Sequence, residues 1–338
     1  MVKVAFRKSI LSKSSRARCI HRDEKGVASV IGTIMALLIF LTFMSMFVNT
    51  YIPIWMKENE RLHMNVVQNQ MGEVKGKIDN LIVNAQVTGT SMVNTYEPVT
   101  MGADGIPLFA SATAGAVILK PSGTTTTGIQ AIFNSSASGG AIVKVDETGG
   151  GKLEFYAPNR YYVGQWLAYE NGALIVKQDA GEAMKATPSL EIAKSGGVFN
   201  IVFTQIDISG TNSTMAGTGV AGVNINLIYL DTQKYTEPTG QNTTVLKINT
   251  VYHAAFMDFM NKTIKAADPL AILTPITWTS GTAVGSVYTV NAAQVAGPTE
   301  FKVTDTVMAD KSHMIVLQVY NTGTMTLSRA FVQMDINV

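Results

Sequence analysis

The sequence predicts an α+β protein: a long N-terminal helix, hydrophobic and then amphipathic, followed by a mainly antiparallel, sandwich-like β head with one short helix. Three observations carry this. Residues 27–56 contain no Asp, Glu, Lys or Arg. Apolar residues from Met64 to Ala85 recur at alternating steps of three and four. Beyond Val87 the apolar period drops to two, and Gly, Asn, Pro and Ser punctuate the chain.

Residues 1–26 read as a basic leader. Lys3, Arg7, Lys8, Lys13, Arg16, Arg18, Arg22 and Lys25 stand there against Asp23 and Glu24, although the whole chain carries a net charge of only +2. A basic block placed directly before an apolar span holds its side of the membrane in the cytoplasm. Membrane lipid, and no nucleic acid, is therefore the expected partner. The one cysteine, Cys19, lies in this leader, so the rest of the chain can build no disulfide, Cys-ligated zinc site or Cys nucleophile. Charged residues make up 15% of the chain, against roughly 25% in an average globular protein, which leaves a largely neutral polar surface.

Residues 27–56 read as a transmembrane or filament-core helix. Its most apolar part, residues 27–48, gives a helix of about 33 Å, enough for a hydrocarbon core of about 30 Å. Ser29, Thr33, Thr42 and Ser45 are compatible with this, because a hydroxyl can bond back to the preceding turn. Tyr51 and Trp55 suit the far interface, and Pro53 predicts a kink or a brief stop. No small-residue cleavage site closes the run, as it would in an ordinary secretory signal. Ala28, Gly32 and Ala36 recur every fourth residue and form a face on which helix backbones can approach closely.

The stretch "EKGVASVIGTIMALLIFL", residues 24–41, resembles the class III signal of archaeal type IV pilin-like proteins, in which a basic leader ends in Lys or Arg plus a small residue before the apolar helix. The resemblance implies that a prepilin peptidase cuts between Gly26 and Val27, with Lys25, Gly26 and Val27 as the processing site. The retained helix would then anchor the chain and afterwards serve as filament core among other pilin-like subunits, in homo- or hetero-assembly. It further implies a structural or adhesive role and a single pass through the cell membrane, with the N-terminus in the cytoplasm and the head outside or on an extracellular pilus. Ser29 stands where the family often has Pro, and Ile31 where bacterial pilins carry an acid that archaeal relatives commonly lack. The chain left after removal of residues 1–26 is large beside typical major pilins, which points to a minor pilin or a non-filamentous relative. The alternative is an uncleaved, membrane-tethered extracellular module that binds glycans or another cell surface.

Residues 57–87 read as an amphipathic stalk helix. Met64, Val67, Met71, Val74, Ile78, Leu81 and Ala85 form a heptad-like seam, while Glu58, Glu60, Arg61, Asn65, Gln68, Glu73, Lys75, Lys77 and Asp79 occupy other faces. Such a seam packs either on the protein's own head or on neighbouring subunits.

The head, residues 88–338, is expected to be extracellular and rich in strands. "FNIVF", "VNINLIYLD", "SVYTV" and "MIVLQVYNTGT" read as strands. At the C-terminus Val332, Met334, Ile336 and Val338 alternate with Gln333, Asp335 and Asn337, as in a half-buried strand. One insertion, "NTVYHAAFMDFMNKTIKAAD", has helical spacing of Val251, Ala255, Phe256, Phe259 and Ile264, with Asn249 or Thr250 as the expected N-cap.

Motifs for catalysis are weak, and no enzyme activity, cofactor or metal is expected. Gly217, Gly219 and Gly222 match GxGxxG, but the β-branched run that follows predicts a strand where a dinucleotide site needs a helix; a glycine-rich hairpin connection is expected instead. His63, His253 and His313 lack zinc-helix spacing. Asp146 and Glu147 in "VDETGGG" read as part of a solvated turn, without the oxygens that Ca²⁺ requires. Phe155, Tyr156, Tyr161, Tyr162, Trp166 and Tyr169 cluster closely; they suit either internal packing or a binding face of Tyr161, Tyr162, Trp166 and Tyr169. Asn134, Asn212, Asn242 and Asn261 occupy N-x-[ST] sequons, open to glycosylation if the head is exported.

Overall fold

The computed structural model describes residues 24–89, 92–124, 128–135, 142–236, 242–269, 271–280, 283–292 and 300–337, with side chains for all of these except 24–28, 135, 142–146, 271–280 and 283–292. It has the expected architecture, a long N-terminal helix and a mostly antiparallel β head of two half-barrel sheets with one short helix. In chain order the elements are α1 (Glu24–Thr88), β1 (Val93–Thr100), β2 (Gly115–Pro121), β3 (Gly128–Ser135), β4 (Ile142–Ala157), β5 (Gln165–Glu170), β6 (Ala173–Gln178), β7 (Gly181–Ala186), β8 (Leu190–Ser195) and β9 (Val198–Gly210). They continue with β10 (Ser213–Gly217), β11 (Val220–Thr236), β12 (Thr243–Thr250), α2 (His253–Ala267), β13 (Ala271–Ser280), β14 (Ala283–Ala292), β15 (Phe301–Val307), β16 (His313–Tyr320) and β17 (Thr322–Asn337). The chain divides into two compact units, Met1–Tyr51 and Ile52–Val338. The helix from Ile52 onward therefore belongs to the head, and residues 57–87 are not a separate stalk.

One sheet has the order β1-β11-β17-β9-β8. All its pairings are antiparallel except β17 with β9. The other runs β13-β14-β15-β16-β12-β3-β4-β5-β6-β7, with β2 and β10 joined to it through β4. Strand β4 serves two neighbourhoods: up to Gly150 it pairs with β3, and from Gly151 it pairs with β2 and β5. The change falls on Gly149, Gly150 and Gly151, so "VDETGGG" is strand and not a solvated turn. Gly151 has φ +91°, and a Cβ there would lie 2.8 Å from both the Ile208 Cβ and the Ser122 nitrogen. Only glycine lets the strand pass so close to β9.

Two cores share the head. In the first, Met64, Val67, Met71, Val74, Ile78, Leu81, Ile82 and Ala85 of α1 are buried with Val223 and Ile225 of β11, Val332 and Met334 of β17, and Leu153 and Phe155 of β4. Residues of both sheets thus enclose the seam. In the second, Ala255, Phe256, Met257, Phe259, Met260 and Ile264 of α2 pack with residues such as Leu246, Phe301, Leu317 and Phe199. This is the short helix expected from the spacing, but its cap differs. Asn249 and Thr250 end β12, the cap position is Tyr252, and the Tyr252 side chain makes no cap hydrogen bond. The Thr250 hydroxyl instead accepts the Tyr252 N–H at 3.0 Å.

Two further expectations are corrected, one in part. Helix α1 runs through Pro53, so the proline does not stop it. The segment after Gly217 is a strand, as expected, but it makes no hairpin: β10 pairs with β2, whereas β11 pairs with β1 and β17. A Cβ at Gly222 would meet the Tyr96 ring, a half-exposed side chain. Strand β17 buries Val332 and Met334 as the alternation predicts; Val338 lies outside the described residues.

Candidate functional site

The first part of α1 is apolar on every face. From Ser29 the helix is long and apolar enough to cross a membrane, and its most apolar window has a mean hydropathy of 2.4 with none of its residues buried. Val30, Ile31, Ile34, Met35, Leu37, Leu38, Ile39, Phe40, Leu41, Phe43 and Met46 are all more than half exposed. In water such an uncovered apolar cylinder is unfavourable at about 25 cal/mol per Å². The hydroxyls inside it are satisfied locally: Thr33 donates to the Val30 carbonyl at 2.8 Å and Thr42 to the Leu38 carbonyl at 2.7 Å. Gly32 and Ala36 are exposed, and a Cβ at Gly32 would meet nothing within 4 Å. At Gly32 and Ala36 the small-residue face is therefore unpacked among the described residues. Lys25, Gly26, Val27 and Ala28 lie on the helix backbone, with side chains outside the described set; residues 1–23 of the leader also lie outside it.

The second part of α1 is the opposite. All seven seam residues, Met64, Val67, Met71, Val74, Ile78, Leu81 and Ala85, are buried in the head's own core. The seam is thus covered by this chain and not available to a neighbour. Side chains from the other faces stitch the helix to β1 and its surroundings. Gln70 accepts the Thr100 N–H at 2.9 Å and donates to the Thr100 hydroxyl at 3.1 Å. His63 donates from Nε2 to the Thr100 carbonyl at 2.9 Å, because a carbonyl can only accept. Burial pushes the His63 pKa down, against the raising effect of that hydrogen bond. Lys77 pairs with Glu97 and donates to the Tyr96 carbonyl.

The strongest of these links is Glu60, a fully buried carboxylate. It accepts N–H groups from Arg160 at 3.0 Å, Tyr161 at 2.8 Å and Tyr162 at 2.7 Å, and the Thr113 hydroxyl at 2.7 Å. Burial alone would raise its pKa, but the hydrogen bonds from Arg160, Thr113, Tyr162 and Tyr161 outweigh this and hold it below the ordinary value. Three consecutive backbone donors form a cradle that fixes the loop 158–164 to the helix. Glu60 looked like one more polar residue in the sequence, and no local spacing there joins it to residues 100 positions downstream.

The aromatic cluster is divided by the fold. Tyr169 and Phe155 are fully buried in the core with the seam, so Tyr169 belongs to no binding face. Tyr162 packs partly against the same core, while Tyr161 is exposed on the Glu60-bound loop. Trp166 stacks on Tyr156 at 4.2 Å, as their pairing across β4 and β5 dictates. Of the four sequon asparagines, Asn212 is exposed. Asn134 and Asn261 are half-buried, and each has a buried amide oxygen without a hydrogen-bond partner among the described residues. Asn242 is fully buried and donates to the Thr322 carbonyl at 3.1 Å, so the folded chain does not present it for glycosylation.

A second buried carboxylate, Glu170, contrasts with Glu60. Burial, offset in part by Lys152 and a hydrogen bond from Thr250, pushes its pKa up to about 7. Its neighbour Glu154 is better supplied: Lys152 at 2.7 Å, Lys120 at 3.0 Å and the Tyr252 hydroxyl at 2.6 Å all converge on it. Burial opposes, but this set holds the Glu154 pKa below its usual value. These charges brace β2, β4 and α2 inside the head. Comparison of the chain with protein-family models, with curated proteins and with solved structures gives no match.

Proposed function

We propose that this chain is an archaeal type IV pilin-like surface protein, held in the membrane by the first part of α1 and assembling through it with other pilin-like subunits, as a minor pilin or a non-filamentous relative. The observation that carries this reading is the continuous helix whose residues 30–46 are apolar and uncovered on all faces, directly behind a basic leader that ends in Lys25-Gly26. The head lies outside the cell, and its role is structural or adhesive and not catalytic. Since the head itself covers the seam of residues 64–85, subunit packing falls to the apolar stretch and its small-residue face of Ala28, Gly32 and Ala36. The prepilin peptidase acts at Gly26–Val27.

The test is mass spectrometry of the native N-terminus, taken separately from membranes and from material sheared off cells. The expected result is a chain beginning at Val27 in the sheared fraction. A chain beginning at Met1 and confined to membranes would overturn the pilin reading and leave a single-span anchor with an external binding module. In that case the exposed Tyr161 and the Trp166–Tyr156 stack become the first surface to probe with a glycan array.

A further inference from the structure

We infer that the head carries a site for one divalent transition-metal ion of the Zn²⁺ class, formed by His253, His313 and Asp305. These residues are far apart in the sequence and are joined by the fold. Asp305 on β15 and His313 on β16 lie diagonally across the pair: Val307 faces His313 and Asp305 faces Ile315. Both therefore point to the side on which Ile315, Leu317 and Val303 are buried. His253 is the first residue of α2. Its ring stacks on that of His313 with centroids 3.7 Å apart and an interplanar angle of 6°.

One ligand atom from each of the three residues lies within 4.8 Å of the others. Around a tetrahedral ion with bonds of about 2.0–2.1 Å, ligand atoms sit about 3.3 Å apart. Two imidazole nitrogens and a carboxylate oxygen favour Zn²⁺ and its neighbours over Ca²⁺ or Mg²⁺, which take oxygen sets. His313 Nδ1 donates to the Asp305 carboxylate at 2.9 and 3.1 Å. On binding, the ion replaces that proton between Nδ1 and one oxygen, the separation widens by a few tenths of an ångström, and the proton leaves to solvent. Parallel rings cannot both point a lone pair at one ion, so one must turn. His313 is fixed by Asp305, whereas the His253 ring is held by stacking alone among the described residues, so His253 turns about its Cβ–Cγ bond. His313 and Asp305 keep 18% and 14% of their side-chain surface exposed, which leaves a route for the ion and a place for a fourth, water ligand.

The helix end would by itself disfavour a cation; Glu182, paired with Lys177 at 2.9 Å, accepts the Ala254 N–H at 3.2 Å and so occupies one of the first-turn donors. The ion would fasten the start of α2 to the β15–β16 pair. This is independent of the anchoring role proposed above.

The test uses the untagged full chain in detergent, stripped with EDTA and dialysed against Zn²⁺, or titrated with Co²⁺ as a spectroscopic substitute. The expected results are about one Zn²⁺ per chain, a Co²⁺ visible band of tetrahedral intensity, and affinity at least tenfold weaker in His253→Gln and in His313→Gln, with Asp305→Asn weakened by about tenfold. Circular dichroism of the metal-free variants verifies that they fold. No stoichiometric binding by the wild type, a Co²⁺ band of octahedral weakness, or full affinity in folded His253→Gln would each overturn the site. The wild-type spectrum decides the matter even if a variant fails to fold.

Discussion

The two parts of α1 are one continuous helix with opposite relations to the rest of the chain. Between Val30 and Met46 the apolar side chains are uncovered on every face; between Met64 and Ala85 the seven seam residues form a single buried stripe, while Val66 and Val83 stay exposed on the other side. The lesson lies in periodicity. A stripe at steps of three and four describes a helix with one apolar partner and water on its other side, whereas uniform apolarity describes a helix that meets no water at all. Burial inside the chain follows the stripe and not the total hydrophobicity.

The sharpest way to break this contrast is to put the same charge into each part. Ile78→Asp places a carboxylate without a partner in a fully buried position and should destabilise the head by more than about 4 kcal/mol. Loss of the cooperative unfolding transition in detergent would register it. Ile34→Asp, on the uncovered part, should leave that transition unchanged and weaken membrane insertion by about 3 kcal/mol, read as a shift of the chain from membrane to soluble or aggregated fractions. Equal effects of the two substitutions on head unfolding would abolish the distinction.

Much of this helix was legible in the sequence because both signals are local. The seven seam residues and the charge-free run could be counted directly, and α2 was readable from its spacing for the same reason. What could not be read depended on strand pairing. "VDETGGG" has the composition of a turn, yet its glycines lie where β4 leaves one set of neighbours for another, and close packing against Ile208 sets the requirement. The aromatic cluster looked continuous, but period-two alternation along β4 and β5 sends Phe155 and Tyr169 inward while Tyr156 and Trp166 stack outside them. Glu60 was invisible because three of its four donors are backbone groups, which no residue identity reveals. One missed signal was present: Asn171-Gly172 is a hairpin dipeptide, and both residues adopt positive φ, 47° and 80°, between β5 and β6.

Glu60 and Glu170 extend the comparison to buried carboxylates with a full and a sparse set of donors. Glu60→Gln keeps the size but cannot accept from four donors equally well, and it should cost about 2 kcal/mol. Urea unfolding at neutral pH measures this. Because the Glu60 pKa is depressed in the folded state, its contribution is present above the ordinary carboxylate value of 4.5 and is lost as pH falls through the folded value. The gap between wild type and Glu60→Gln should therefore close in acid; a gap constant from pH 7 to pH 3 would refute the ionic role.

Glu170 runs the other way. Its folded pKa of about 7 lies above the unfolded 4.5, so the folded state binds the proton more tightly. Stability from this group is full below about 4.5, declines as pH rises to about 7, and is level beyond. Glu170→Gln should flatten that decline and make the protein more stable than wild type at pH 8, by about 1–2 kcal/mol once part of the strain is relieved by relaxation. Parallel stability curves for the two proteins across pH 4.5–8 would count against a neutral Glu170.

The smallest effect on the head is expected at Gly32, where the comparison between the two parts of α1 is most discriminating. A side chain there meets nothing within 4 Å in the chain, and leucine is the better helix former by roughly 0.5–1 kcal/mol. Gly32→Leu should thus leave head unfolding unchanged to within about 0.5 kcal/mol and membrane insertion intact. If the Ala28–Gly32–Ala36 face is where helices of separate subunits meet, the added bulk forces their backbones apart and assembly fails. Cross-linking in membranes, with and without the substitution, reads that difference: loss of higher-order species with an unaltered head locates the contact on this face. Undiminished assembly would place it on another face of the same apolar stretch, because the seam is already occupied.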